Sequence, residues 1–300
     1  MTGVTILDGG MGRELQRSGA PFRQPEWSAL ALIEAPEMVG QVHQAYLAAG
    51  AQVITANSYA LVPFHIGAER FAREGQALAE RAGRVARSAA DGHPARVAGS
   101  LPPLFGSYRP DLFDPDQAAA LLAPLVAGLA PHIDLWLAET LSATAEVQAV
   151  AAALAGDTRP RWFSFTLRDD GGGDPDQVPL RSGESVEDAV GAVVAARGEA
   201  ILFNCSQPEV MAGAVRRARR ASDQAGANLT IGTYANAFPP QKDETKANEE
   251  LSPLRSDLDP PGYLGWAQCW VDAGATIIGG CCGIGPEHIA VLAAELGARA

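Results

Sequence analysis

Eight short runs of β-branched or apolar residues, each followed by a stretch of helical periodicity, recur along the 300-residue chain. The runs are residues 4–7, 52–55, 96–98, 135–138, 162–166, 200–203, 228–232 and 276–278. Helices are expected between and after them at 36–49, 68–89, 115–130, 143–155, 185–197, 208–221, 263–273 and 286–296. Parallel strands need long crossover connections, and the usual crossover is a helix, so this alternation is the pattern of a parallel α/β sheet. Eight such units closing on themselves predict a (β/α)8 TIM barrel. Pro36, Pro115, Pro208 and Pro286 suit first helical turns, where a missing amide is harmless, and Asp114 is a candidate cap. No linker divides the chain; cutting at the Gly171 interval would leave two half-sheets, so residues 1–300 are expected to form one barrel domain.

Hydrophobic residues at 47% supply a large core. Lys and Arg number 23 against 35 Asp and Glu, a net charge of -12, which disfavours nucleic acid and anionic membranes and leaves a small molecule as the expected partner. The apolar stretch 118–130 contains Pro124 and falls short of the roughly 20 residues of a membrane helix. Residues 1–10 have no basic segment followed by a long apolar run, so a cytoplasmic protein is expected. Two longer polar intervals, 167–184 with Gly171-Gly172-Gly173-Asp174-Pro175 and 233–261 with the charged run 242–250, follow the fifth and seventh strands. They are expected on the C-terminal face of the barrel, either over a pocket or as solvated loops.

The chemistry concentrates in Gly279-Gly280-Cys281-Cys282-Gly283-Ile284-Gly285-Pro286, between the last strand and the last helix. Adjacent residues on a regular strand point to opposite faces, so both thiols reach one ion only if the backbone turns, which the glycines permit. Cys205, in Phe203-Asn204-Cys205-Ser206-Gln207-Pro208, has the same placement after strand six, and a barrel brings the two strand ends toward one mouth. Three thiolates leave one position open on tetrahedral zinc; four would describe a closed structural site. Spacing alone is equally compatible with buried free thiols or a redox pair. Cys269, in a predicted helix, is expected to be a small buried hydrophobe. His43 and His65 lack metal-ligand spacing, and His288 is expected on a polar helix face.

Taken together, Leu7-Asp8-Gly9-Gly10-Met11-Gly12, Val97-Ala98-Gly99-Ser100, Glu139-Thr140, Asn204-Cys205, Tyr234-Ala235-Asn236 and Ile277-Ile278-Gly279-Gly280-Cys281-Cys282 make the chain resemble the zinc-dependent homocysteine S-methyltransferase family. The family includes S-methylmethionine-dependent and betaine-dependent enzymes and the homocysteine-binding module of cobalamin-dependent methionine synthase. The resemblance implies a TIM barrel in which Cys205, Cys281 and Cys282 hold Zn2+ and the homocysteine sulfur takes the open position. It further implies that Asp8 and Glu139, each placed just after a predicted strand, hold the homocysteine amino group. Backbone around Gly9 and Gly10 would help receive the amino acid, with Thr55 at a pocket position. Asn204 would bind the substrate carboxylate or orient a strand end. Trp27, Tyr59, Trp136 and Tyr234 are candidates to face a small cationic methyl donor.

Trp162-Phe163-Ser164-Phe165-Thr166-Leu167-Arg168-Asp169 is similar to the S-methylmethionine-using branch, which makes that compound the expected donor and S-adenosylmethionine the second. Gly283-Ile284-Gly285 departs from relatives that carry a basic or hydroxyl residue there, and Ala235 replaces a common proline, so donor contacts in these loops are not carried over. The competing readings are transfer from betaine, dimethylsulfonium compounds or a corrinoid protein, and a nonenzymatic zinc-binding barrel marked by a closed four-cysteine sphere. A monomer or weak homodimer is expected.

Overall fold

Eight parallel strands form one sheet in the order β1-β8-β7-β6-β5-β4-β3-β2. They are β1 (Thr5–Ile6), β2 (Val53–Thr55), β3 (Arg96–Leu101), β4 (Leu135–Leu141), β5 (Arg161–Phe165), β6 (Ala200–Asn204), β7 (Thr230–Tyr234) and β8 (Ile277–Ile278). Between β1 and β2 the barrel closes through a parallel bridge of Leu7 with Val53, and the Asp8 N–H donates to the Val53 carbonyl at 3.0 Å. The computed structural model describes residues 3–169, 173–239 and 253–297. The charged run 242–250 and Gly171-Gly172 lie outside the described residues.

The helices are α1 (Met11–Arg17), α2 (Ser28–Glu34), α3 (Pro36–Ala48), α4 (Pro63–Ile66), α5 (Ala68–Ala90), α6 (Pro115–Leu129), α7 (Thr144–Ala153), α8 (Val186–Ala195), α9 (Pro208–Gln224), α10 (Pro260–Ala273) and α11 (Pro286–Leu296). All eight expected strands and helices are present. The cap at Asp114 forms as expected, accepting the Asp116 N–H at 2.9 Å. Helix α10 begins three residues earlier than expected, because Pro260 and Pro261 fit its first turn behind the Asp259 cap. Strand β7 lies two residues later, since Leu229 is still held by Ser222 and Ala227 in the turn after α9. Helices α1, α2 and α4 were not expected: they are short, and no side chain caps them.

Helix α5 buries Phe71, Gly75, Leu78, Ala82, Ala86 and Ala89, spaced three and four residues apart, which is one face of a 3.6-residue repeat. Gly128 of α6 lets that helix approach α5 closely: a Cβ there would stand 2.4 Å from the Gln76 carbonyl oxygen and 2.8 Å from the Ala79 Cβ. Among the described residues no helix is long and apolar enough to cross a membrane. Two side chains depart from expectation. Cys269 is exposed on α10. His288 is buried at the start of α11, where Nδ1 accepts the Gly285 N–H at 3.2 Å and Nε2 contacts the Leu258 carbonyl at 3.0 Å, so it caps the helix instead of covering a polar face.

Alternation along the strands places the site. Leu7, Val53, Ala98, Leu135, Leu137, Trp162, Ala200, Leu202 and Ile277 pack as an apolar cluster inside the barrel. Two residues further toward the C-terminal ends, Thr55, Ser100, Glu139, Ser164 and Asn204 share that inward face, with Tyr234 at the end of β7, because side chains repeat with period two. An apolar floor thus carries a polar ring at the mouth where substrates bind. Glu139 therefore belongs to β4, which runs on to Leu141, and does not follow the strand as expected.

Candidate functional site

The residues 279–284 cross the mouth as a tightly held loop. Gly279 donates to the Thr233 carbonyl at 3.0 Å, Gly280 to Asp8 at 3.0 Å and Cys281 to Ala235 at 2.9 Å. The Ala237 N–H reaches the Cys282 carbonyl at 2.8 Å, and the Tyr263 hydroxyl donates to the Gly279 carbonyl at 2.8 Å. Gly9 and Gly10 let β1 come close beneath this loop. A Cβ at Gly9 would stand 2.3 Å from the Ile284 carbonyl oxygen, and one at Gly10 would stand 2.6 Å from that of Cys281. The Gly10 N–H is already given to Ile284 at 2.9 Å, so the role of this segment in the fold is to seat the cysteine loop.

Cys205 directly follows β6 with a φ of 51°, in the left-handed region, and its thiol stands beside the pair on the 279–284 loop. The sulfurs of Cys205, Cys281 and Cys282 lie within 4.8 Å of one another. Among the described residues this is the only group of three or more Cys, His, Asp or Glu so arranged, and Cys269 is not part of it, so no four-cysteine sphere forms. Hydrogen bonds from Cys281 and Cys282 hold the Cys205 thiol well below its ordinary pKa despite burial. The same hydrogen bonds to Cys205, with burial, push Cys281 and Cys282 up. Three soft sulfur donors converging in this way fit a tetrahedral thiophilic cation with one position left over.

The thiols open onto a pocket that Asp8, Thr55 and Glu139 also line. Asp8 accepts from the Thr55 N–H at 2.7 Å and the Thr55 hydroxyl at 3.1 Å. Burial lifts its pKa to about 7 against those hydrogen bonds, and the facing Glu139 adds to the rise. Glu139 accepts from the Ser100 hydroxyl at 2.5 Å and from the Tyr234 hydroxyl at 3.3 Å. Burial raises it too to about 7, opposed by the Ser100 hydrogen bond and assisted by the charge on Cys205. Two buried carboxyl groups on one pocket can pair with an organic cation, whose arrival would favour ionisation of both.

Asn204 does not line the pocket. Its Oδ1 accepts from the Thr140 N–H at 3.0 Å and the Ser164 hydroxyl at 2.7 Å, and its Nδ2 donates to Thr140 Oγ1 at 2.8 Å, so it ties strand ends together. Thr140 has a φ of 60° at a register shift in β4, and this tie holds it. Trp27, Tyr59 and Tyr234 line the pocket as expected, but Trp136 faces outward under the Arg159 guanidinium, 5.1 Å from its ring centroid. Tyr108 and Arg13 also line it and were not anticipated. The signal for Tyr108 is its place in the loop after the third strand, on the substrate-binding face; Arg13 lies on the unforeseen α1. In the described residues the interval 167–184 gives the pocket no wall, and 233–261 gives only Tyr234.

A family model described as homocysteine S-methyltransferase matches residues 5–296. The homocysteine S-methyltransferase of Escherichia coli K12 is 30% identical, over 97% of this chain and 95% of that protein. A selenocysteine Se-methyltransferase of Brassica oleracea is 26% identical, over 99% of this chain and 90% of that protein. In three dimensions the chain is similar to the metallated form of the Escherichia coli homocysteine methyltransferase MmuM, with a TM-score of 0.76 at 29% identity, covering 97% of this chain and 96% of that one. With the match spanning the whole barrel and both cysteine segments, the chain belongs to the homocysteine S-methyltransferase family.

Proposed function

We propose that this homocysteine S-methyltransferase uses zinc held by Cys205, Cys281 and Cys282, takes its methyl group from S-methylmethionine with S-adenosylmethionine as a second donor, and forms methionine. The observation that carries this reading is that the thiol cluster and the Asp8–Glu139 pair open onto one pocket. Homocysteine bears a thiol and an ammonium group three carbons apart, and a pocket with a sulfur-rich corner and a carboxylate corner matches both ends. When bound, zinc favours the thiolate form of a coordinated thiol and so supplies the nucleophile.

The protein's own residues do the rest. Asp8 and Glu139 pair with the ammonium and fix the amino acid, Thr55 and Ser100 orient the two carboxylates, and three anionic thiolates keep electron density high on the acceptor sulfur. Trp27, Tyr59, Tyr108 and Tyr234 give the pocket an aromatic lining suited to a sulfonium cation. The acceptor sulfur attacks the methyl carbon, the carbon–sulfonium bond breaks, and its electron pair leaves on a neutral sulfide, so no general acid is required. Alignment and exclusion of water account for much of the rate. We further propose that residues 1–300 act as one barrel domain, as a cytoplasmic monomer or weak homodimer.

Methionine formation from homocysteine by zinc-quantified protein, with S-methylmethionine, S-adenosylmethionine and betaine tested separately, checks the donor. Preference for S-methylmethionine is expected; preference for betaine, or product only with a corrinoid protein, contradicts the donor assignment and leaves the acceptor site standing.

A further inference from the structure

Behind the pocket, Arg181 and Asp169 form an ion pair at 2.6 Å with side chains only 1% and 0% exposed. The attraction within such a pair roughly offsets the loss of hydration, so stability alone is a weak reason for it. Its other contacts converge on Cys205. Asp169 accepts the N–H of Gln207, two residues beyond Cys205, at 3.1 Å. Arg181 Nε donates to Thr166 Oγ1 at 3.3 Å, and the Thr166 hydroxyl reaches the Cys205 carbonyl at 3.4 Å and the Ser206 hydroxyl at 3.2 Å. The guanidinium carbon also lies 4.4 Å from the ring centroid of Tyr108, which lines the pocket. Both Cys205 and Tyr108 hold positive φ, 51° and 64°, a region that residues other than glycine seldom occupy without outside support.

We propose that Arg181, paired with Asp169, is a positioning residue for the metal site, holding the Cys205–Gln207 turn and the Tyr108 ring from behind the pocket. This rests on the reading of Cys205 as a metal ligand. The planar guanidinium meets the carboxylate and Thr166 along its edge and Tyr108 on its face, three contacts that a lysine ammonium cannot reproduce together. The role is to fix where the Cys205 sulfur stands; no chemistry passes through Arg181.

The test is zinc affinity of the full-length chain, by competition with a chromophoric chelator, together with the thiolate-to-cobalt charge-transfer absorption of the cobalt-substituted protein. Arg181→Met and Asp169→Asn are each expected to weaken zinc binding by about tenfold or more and to shift the cobalt spectrum, as loss of an outer partner commonly does. The double variant is expected to be no worse than either single one, because the two residues act as a unit. Arg181→Lys is expected between wild type and Arg181→Met, while Arg217→Met, which breaks a pair with Glu187 elsewhere, leaves the metal readings unchanged. A lower melting temperature with unaltered zinc affinity and cobalt spectrum would overturn the proposal. If Arg181→Met does not fold, Arg181→Lys and Asp169→Asn decide it by the same readings. A wild-type chain that holds no metal refutes the ligand reading on which the proposal stands.

Discussion

Glu139 points into the barrel because it stands two residues beyond Leu137 on β4, and Ser100 and Tyr234 then hold its carboxylate in the pocket. Glu139→Gln retains the shape and one acceptor but removes the charge that pairs with an ammonium. A hydrogen bond to a charged group contributes roughly 1.5–3 kcal/mol, so KM for homocysteine should rise about ten- to a hundredfold while zinc stays near one equivalent per chain. Loss of metal with unchanged KM would show that Glu139 serves the thiols and not the substrate. The raised pKa values of Asp8 and Glu139, both about 7, set the pH dependence. Below that value the carboxyls are neutral and cannot pair with the ammonium; above it they are charged. Homocysteine binding should therefore tighten as pH rises from 6 to 8, by up to roughly tenfold per unit for each proton lost, and the slope should be shallower in Glu139→Gln. An identical slope in the variant would remove Glu139 from the titration. Asp8 and Cys205 are placed at the barrel mouth by the sequence because each follows a predicted strand, while the substrate role given to Asp8 comes from the family resemblance. Asn204 is harder: period two places it inward, but only the spatial neighbours Thr140 and Ser164 reveal that its amide is already occupied.

The eight helical elements with an apolar stripe or a proline start were legible, since burial against a sheet demands that periodicity. Helices α1, α2 and α4 were not, for a local reason: α2 is entered through Trp27 at a φ of 49° and no side chain caps it, so tertiary packing and not propensity sets its start. That entry brings Trp27 to the pocket, and its indole leaves no room for a side chain at position 12, where a Cβ would stand 2.8 Å from the ring. The loop 279–284 depends on β1 beneath it in the same manner. Gly10→Val should displace the Cys281–Cys282 backbone, because even a Cβ would stand 2.6 Å from the Cys281 carbonyl and 3.1 Å from the Cys282 Cα. The expected outcome is zinc stoichiometry well below one with the helical circular dichroism spectrum retained; full zinc occupancy would mean that the loop yields without losing its geometry.

At the scale of the whole molecule, the barrel brings together residues almost 200 positions apart, Asp8 and Cys205, and carries them on rigid strand ends. The alternation of runs and helices was enough to read that architecture. Part of the pocket wall was not legible, because Tyr108 and Arg13 lie in a loop and a short helix whose positions only the closed barrel defines, and the same holds for Arg181, buried behind the pocket. Metal binding should also be felt globally: a ligand that binds only the folded state stabilises it in proportion to the logarithm of its concentration over Kd, so zinc removal should lower the melting temperature. The most direct test of the account replaces Cys282 by serine and measures zinc content and methionine formation on the same folded preparation. The account predicts that both fall together, with the circular dichroism spectrum unchanged. Normal turnover with zinc at one equivalent in Cys282→Ser would contradict it.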